Sequence, residues 1–528
     1  MSLLRRSREA IRADWLAYGV ICLAFVVQAL LVMQPLDFLI TNLLPDDAFY
    51  YFEIARNITL GLGSTFDGIN LTNGYHPLWM VMILPLFALF SVGGALDVVP
   101  IYLSLGMSVV LNAGTALILL RILARITKSP LIRAFALALC VLNPLVFFET
   151  VNGLETSVAL LLLSAFILAA LRAQEQETRS AYVLVTVIAG LMILARMDLA
   201  FYFAVYLVWL LITLGFKSSL RQVLLMGVGA TLTCLPWFIW NYATFQMLFT
   251  SASNANTLIN HVLVAQDNGP GLLVQIKGAL YLLVYHGKEV LLRTGVPWLL
   301  FGLLGAAAAY MAQKEWMIAS LRRNLPLLLA LFSGFVALFL VNAGLRFTGR
   351  AWYFISFNIF LVLAAAWTLD AVLSKKQRLV VLVVLSLLVS GTFFLGWKTT
   401  LKDQFTNQRA MFSMAEWMNE NLPPDATIGV FNAGVQGYFA HATVINLDAL
   451  VNNAAYEAMK ERRLWSYVGD ENIEYISDFP LYLTYRYKSF LDTADVLSEL
   501  EPVYTIPVQG DARNVGGLTL YRVQSSGE

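Results

Sequence analysis

Apolar runs approaching the length of a bilayer crossing recur through most of this chain, near residues 15–34, 77–92, 100–123, 134–149, 155–171, 181–195, 198–216, 222–241, 294–313, 325–343, 353–373 and 379–397. No water reaches the hydrocarbon core of a membrane. A segment there must satisfy its own backbone hydrogen bonds, and a helix needs roughly 20 apolar residues to cross. The chain is 59% hydrophobic and only 13% charged, which excludes a soluble globular enzyme and leads to an all-α polytopic membrane domain of about 11–13 transmembrane helices. A net charge of +1 offers no basic surface to a nucleic acid. Cys22, Cys140 and Cys234 all lie in apolar runs without CxxC spacing, so neither a disulfide framework nor a zinc site is indicated.

Basic residues mark the sides. Arg5, Arg6, Arg8 and Arg12 precede the first run, and no small-residue cleavage pattern follows it, so the N-terminus is expected in the cytoplasm. The clusters around Arg121–Arg133, Arg172–Arg179, Lys217–Arg221, Lys314–Arg323 and Lys375–Arg378 fall on the same side. That puts the loop 35–76, the turns at Asn152–Glu155, Arg196–Asp198 and Arg346–Arg350, the loop 242–293 and the C-terminal part outside. Termini on opposite sides require an odd number of crossings, whereas the runs make an even number; one near 77–123 is over-counted or re-entrant. Beyond residue 398 the apolar runs shorten and Pro423-Pro424-Asp425 introduces strand-like pieces at Ala426–Phe431, Thr443–Leu447 and Gly517–Val523, with a turn of helix at Gly434–Ala440. The expected organisation is a membrane domain over 1–397, with outer loop 35–76, and a soluble mixed α/β domain over 398–528.

The densest chemistry lies in that first outer loop. Asp46-Asp47-Ala48-Phe49-Tyr50-Tyr51 follows Pro45, and Gly61 and Gly63 close the segment, so 47–60 is expected as a short amphipathic helix at the membrane surface with Asp46 as its cap. An acid at a helix start also has a purely structural reading, as cap or dipole partner. The next stretch, Thr72-Asn73-Gly74-Tyr75-His76-Pro77-Leu78-Trp79, packs Asn, Tyr and His against a proline-initiated helix, an arrangement suited to a ligand.

With these residues the chain resembles the GT-C superfamily of polytopic glycosyltransferases that use polyprenyl-phosphate-linked sugars, in particular the protein mannosyltransferases, aminoarabinose transferases and mycobacterial-type arabinofuranosyltransferases. Those enzymes place an acidic pair followed by aromatics in the first outer loop and a Pro-Leu start to the next helix, as Asp46-Asp47-Ala48-Phe49-Tyr50 and His76-Pro77-Leu78 do here. Asn152-Gly153-Leu154-Glu155, Arg196-Met197-Asp198, Gly349-Arg350-Ala351-Trp352-Tyr353 and Leu447-Asp448-Ala449-Leu450 are similar to their later motifs, with Met197 where proline is common and Ala449 where glycine is common. The resemblance implies a glycosyltransferase of the cell envelope, in the bacterial inner (plasma) membrane, with its site on the non-cytoplasmic face. The first acid of the pair, Asp46, would be the general base and Asp47 its alternate or an acceptor-orienting partner.

The chemistry itself asks for little more. A sugar leaving a lipid monophosphate needs a base for the acceptor hydroxyl and cations for the departing phosphate. A base opposite the phosphate inverts the anomeric centre. Arg or His can neutralise that phosphate, so a divalent cation is compatible but no cofactor is obligatory, and no metal ligand set is expected. The candidate donor- and substrate-binding residues are His76, Arg196, Asp198, Arg346, Arg350, Tyr75, Asn73, Glu155 and Lys288. Arg346 and Arg350 have an alternative as lipid-headgroup contacts, and Arg196 with Asp198 as a structural pair, since an ionised group at mid-bilayer costs ~2.5–3.5 kcal/mol. The expected partners are the lipid-linked donor, a glycan, lipid or protein acceptor, and membrane lipids. The rival reading is a secondary transporter or flippase of lipid-linked sugars, which would place its charges at mid-membrane on broken helices within paired repeats.

Overall fold

The computed structural model describes residues 14–90, 98–269, 271–294, 315–346, 349–401, 404–508 and 516–524. The run expected at 294–313 lies outside the described residues except for Thr294, as do Arg5, Arg6, Arg8, Arg12 and Lys314. Among the described residues, six helices are long and apolar enough to cross a membrane: Trp15–Val32, Val99–Ile126, Thr156–Gln176, Phe216–Phe245, Leu325–Leu345 and Lys375–Lys398. Five shorter apolar helices accompany them, Pro77–Phe90, Pro130–Val141, Arg179–Ala195, Met197–Thr213 and Phe357–Val372. The chain is an integral membrane protein. A 14-residue helix such as Pro77–Phe90 reaches only about 21 Å at 1.5 Å per residue, less than a bilayer core.

Two expectations need correction. The run at 134–149 is two helices, Pro130–Val141 and Pro144–Glu149. Pro144 has no N–H to continue the first, and the Asn143 side chain accepts from the Leu145 N–H at 3.0 Å to start the second. The first-loop helix, Asp46–Thr59, does not lie on the surface. Ala48 through Ala55 are all buried, because the C-terminal part folds down over it.

That part is built on a five-stranded sheet. Its strands are β1 (Thr427–Val430), β2 (Thr443–Asn446), β3 (Tyr475–Asp478), β4 (Leu500–Ile506) and β5 (Leu518–Val523), in the order β2-β1-β3-β5-β4. β1 runs parallel to β2 and β3, while β5 is antiparallel to both β3 and β4. The helix Gly434–Phe439 makes the crossover from β1 to β2, as parallel neighbours require. Met411, Met414 and Met418 of helix Thr406–Asn421, with Val435, Tyr438 and Phe439, join Phe49, Phe52, Trp79 and Phe87 in one apolar core. Each fully buried ring or aliphatic chain in that core contributes roughly 1.5–3 kcal/mol.

The backbones meet as closely as glycine allows. A Cβ at Gly434 would lie 2.1 Å from the Asp46 carbonyl oxygen, and one at Gly74 would lie 2.1 Å from that of Leu450. The first loop and the C-terminal sheet therefore share one core and one seam.

Candidate active site

At the seam lies a cavity of about 750 Å³. It is walled by Pro45, Asp46 and Asp47 from the first loop, by Glu149, by Tyr285 and His286 of helix Leu272–Thr294, by Gly349–Trp352, and by Gln404–Gln408, Asn432 and Tyr482 from the C-terminal side. Its volume falls in the range of small-ligand sites.

The two adjacent acids have different surroundings. The Asp46 carboxylate does not cap its own helix. Its two oxygens accept from the N–H groups of Gly434 at 3.0 Å and Val435 at 2.7 Å, 388 and 389 residues away in sequence, so it binds the first turn of the crossover helix. Burial pushes it up to about 6 against the lowering effect of those N–H groups. Tyr50 stands beside it, its hydroxyl donating to Asp448 at 3.3 Å and accepting from the Ala433 N–H and the Asn446 amide, each at 3.3 Å. Asp478 accepts from Phe431 and Phe479 N–H groups, and burial raises it to about 7. Asp47 has no hydrogen bond to its carboxylate among the described residues. Burial raises it above the ordinary carboxylate range, and the charge of Arg350 holds it down most, ahead of Arg486. Arg350 is exposed on the cavity wall, its guanidinium 5.8 Å from the centre of the Trp352 ring.

A second group of charges adjoins the first. Arg196 grips Asp198 in a two-pronged pair at 2.8 and 3.2 Å and reaches Glu155 at 3.1 Å, with the Tyr353 ring 4.9 Å beneath it. Glu155 also accepts from the Tyr51 hydroxyl at 2.9 Å and lies 3.7 Å from the His76 Nε2. Asn342 donates to Asp198 at 3.1 Å, and Arg346 donates to Asn342, Thr257 and the Ser253 carbonyl. Buried ions held by several hydrogen bonds form a rigid unit, and removing one partner leaves a costly bare charge.

The sequence candidates therefore divide. Asp46, Asp47 and Arg350 line the cavity, whereas His76, Glu155, Arg196, Asp198 and Arg346 form the adjoining network. Tyr75 faces a separate apolar cavity of about 420 Å³ with Trp237 and Trp240, its hydroxyl paired with Ser64 at 2.8 Å. Asn73 is buried in amide contacts with Asn241, Ser251 and Asn453, which tie the loop in place. Lys288 is exposed and does not line the cavity. Sequence reasoning missed His286, Gln404, Asn407, Asn432, Tyr482 and Arg486, since each reaches the site only through long-range packing. Among the described residues, no three His, Cys, Asp or Glu side chains are grouped to hold a metal.

With this geometry in view, likeness to solved structures shows the fold. The chain aligns with the Archaeoglobus fulgidus oligosaccharyltransferase in its apo form over 90% of its own length and 71% of that chain, at 15% identity and a TM-score of 0.59. The archaeal oligosaccharyltransferase AglB from the same organism, in complex with an inhibitory peptide and a dolichol-phosphate, gives 14% identity and a TM-score of 0.58 over 98% of this chain and 75% of that one. ArnT from Cupriavidus metallidurans, in the apo state, gives 15% identity and a TM-score of 0.56 over 96% and 98%. The protein thus has the fold of the GT-C membrane glycosyltransferases, with a small C-terminal mixed sheet domain. More particularly, residues 400–517 match a family described as a domain of unknown function, DUF8728. No curated protein matches the sequence.

Proposed function

We propose that this protein is an integral membrane glycosyltransferase that moves one hexosyl or pentosyl unit from a polyprenyl-phosphate donor to an acceptor hydroxyl. In this reading it works on the non-cytoplasmic face of a bacterial inner membrane, with residues 1–397 in the membrane domain and 398–528 outside. Asp47 is the general base, in preference to Asp46. It takes the hydroxyl proton while the acceptor oxygen bonds to the anomeric carbon from the face opposite the phosphate. The anomeric C–O bond breaks, the phosphate leaves with the electron pair, and the centre inverts. Arg350 faces the leaving phosphate, with His286 beside it. The Glu155–Arg196–Asp198 network and Arg346 hold the walls in register.

The observation that carries this reading is Asp47, a carboxylate without a hydrogen-bond partner among the described residues that shares a walled cavity with Arg350. Asp46 is occupied by Gly434 and Val435, which supports a docking role. The solved relatives with lipid-phosphate and peptide complexes are consistent with a lipid-linked donor.

The test is transfer of label from a panel of polyprenyl-phosphate sugars to membrane extract by the purified protein. Asp47→Asn is expected to lower transfer about 10²–10⁴-fold with folding intact. Asp46→Asn should retain measurable transfer but melt earlier, by about 1–3 kcal/mol of stability. Full activity in Asp47→Asn would reject this base. No donor consumption by the native protein would reject the transferase, and flux of lipid-linked sugar across liposomes would then be the assay to run.

A further inference from the structure

We propose that the cavity wall made by Gln404, Asn407, Asn432 and Tyr482 is a carbohydrate subsite that holds the acceptor, so that the acceptor group is a sugar hydroxyl. The inference rests on the transferase reading and deepens it.

The segment 404–408 is fixed from both sides. The Phe405 N–H donates to the Thr41 carbonyl at 2.8 Å, and the buried Gln408 amide donates to the carbonyls of Ile40 and Leu44, both at 2.7 Å. Between these anchors the Asn407 Oδ1 is buried on the cavity wall with no hydrogen-bond partner among the described residues. A buried acceptor left unmade is unfavourable, and a ligand hydroxyl would supply the missing bond. Asn432 adds a second amide from the end of β1, and Gln404 a third.

Amide side chains both donate and accept, as vicinal sugar hydroxyls do. Tyr482 and Trp352, both on the cavity lining, offer ring surface of the kind on which the C–H face of a sugar packs. Gln404, Asn407, Asn432 and Tyr482 carry no formal charge themselves, and the Arg486 guanidinium lies 5.9 Å from the centre of the Tyr482 ring. Arg350, with Tyr285 and His286, lines the same cavity. The cavity thus offers a guanidinium suited to phosphate and a set of uncharged amides suited to hydroxyls, both beside Asp47.

The experiment uses the full chain in lipid nanodiscs and saturation-transfer NMR, with a panel of methyl glycosides of common hexoses and pentoses, an uncharged tripeptide and inorganic phosphate as probes. At least one glycoside should bind saturably. Asn407→Ala and Asn432→Ala should each weaken it about tenfold while melting like the native chain. With a glycoside acceptor in the transfer assay, both variants should raise the acceptor KM and leave the donor KM unmoved, which a loss of packing alone would not do. Binding of the tripeptide but of no glycoside, or glycoside affinity indifferent to both asparagines, overturns the subsite. Glycoside binding without donor consumption upholds the subsite and defeats the transferase, whereas donor consumption without glycoside binding does the reverse.

Discussion

Asp46 and Asp47 differ by one position and, in our reading, by role. At the start of a helix, consecutive side chains point about 100° apart, so one carboxylate turns to the crossover helix and the other to the cavity. The sequence showed that the pair matters but not how it divides, because the groups that occupy Asp46 come from Gly434 and Val435. Ala449 is a gentler case. The resemblance marked it as a position where glycine is common, and its φ of +65° explains why, since a Cβ there is strained. The charge of Arg350 lowers Asp47 against burial, and this sets a test at the same scale. If Asp47 must be ionised to act, activity rises as pH climbs through its pKa. Arg350→Gln removes the lowering charge, the pKa rises, and the acidic limb of kcat/KM is expected to move to higher pH. A limb that stays put or moves down would show that the two groups are not coupled in the working site.

At the level of elements, the apolar runs were legible because membrane helices carry their own backbone bonds and announce themselves by composition. β1, β2 and β5 were legible as short apolar segments between turns. β3 and β4 were not: β3 is only four residues long, and β4 carries Pro502 at a bulge and an exposed face. The crossover helix Gly434–Phe439 was expected, but its use was not, since nothing local says that its first turn receives a carboxylate from the membrane side. Gly434 is the hinge of that contact. Gly434→Ala would drive a methyl into the Asp46 backbone, and overpacking of this kind costs about 1–3 kcal/mol. The expected outcome is earlier protease cleavage between 400 and 520 with the membrane helices still folded. Protection equal to the native chain would mean that the seam is looser than described.

Across the whole molecule, the seam buries acids. Asp46 rises to about 6 and Asp478 to about 7, while an unfolded chain holds such groups near 3.9. Between about pH 4 and pH 7 the folded protein therefore binds more protons than the unfolded one, and its stability falls as pH rises through that window. The melting temperature in detergent is expected to be higher at pH 5.5 than at pH 7.5, and Asp46→Asn should flatten the slope. A melting temperature that climbs over this range would contradict the burial of these carboxyls. The order of the sheet has a further consequence. β5, the last of the described strands, does not sit at an edge but between β3 and β4, and Leu518 and Leu520 enter the same core as Phe49 and Trp79. During biogenesis the ribosome can release every described membrane helix before this strand exists. Until it arrives β3 and β4 have no strand to join them and the outer cover is unfinished, so in our reading the site is completed only after the described lipid-facing helices have been made.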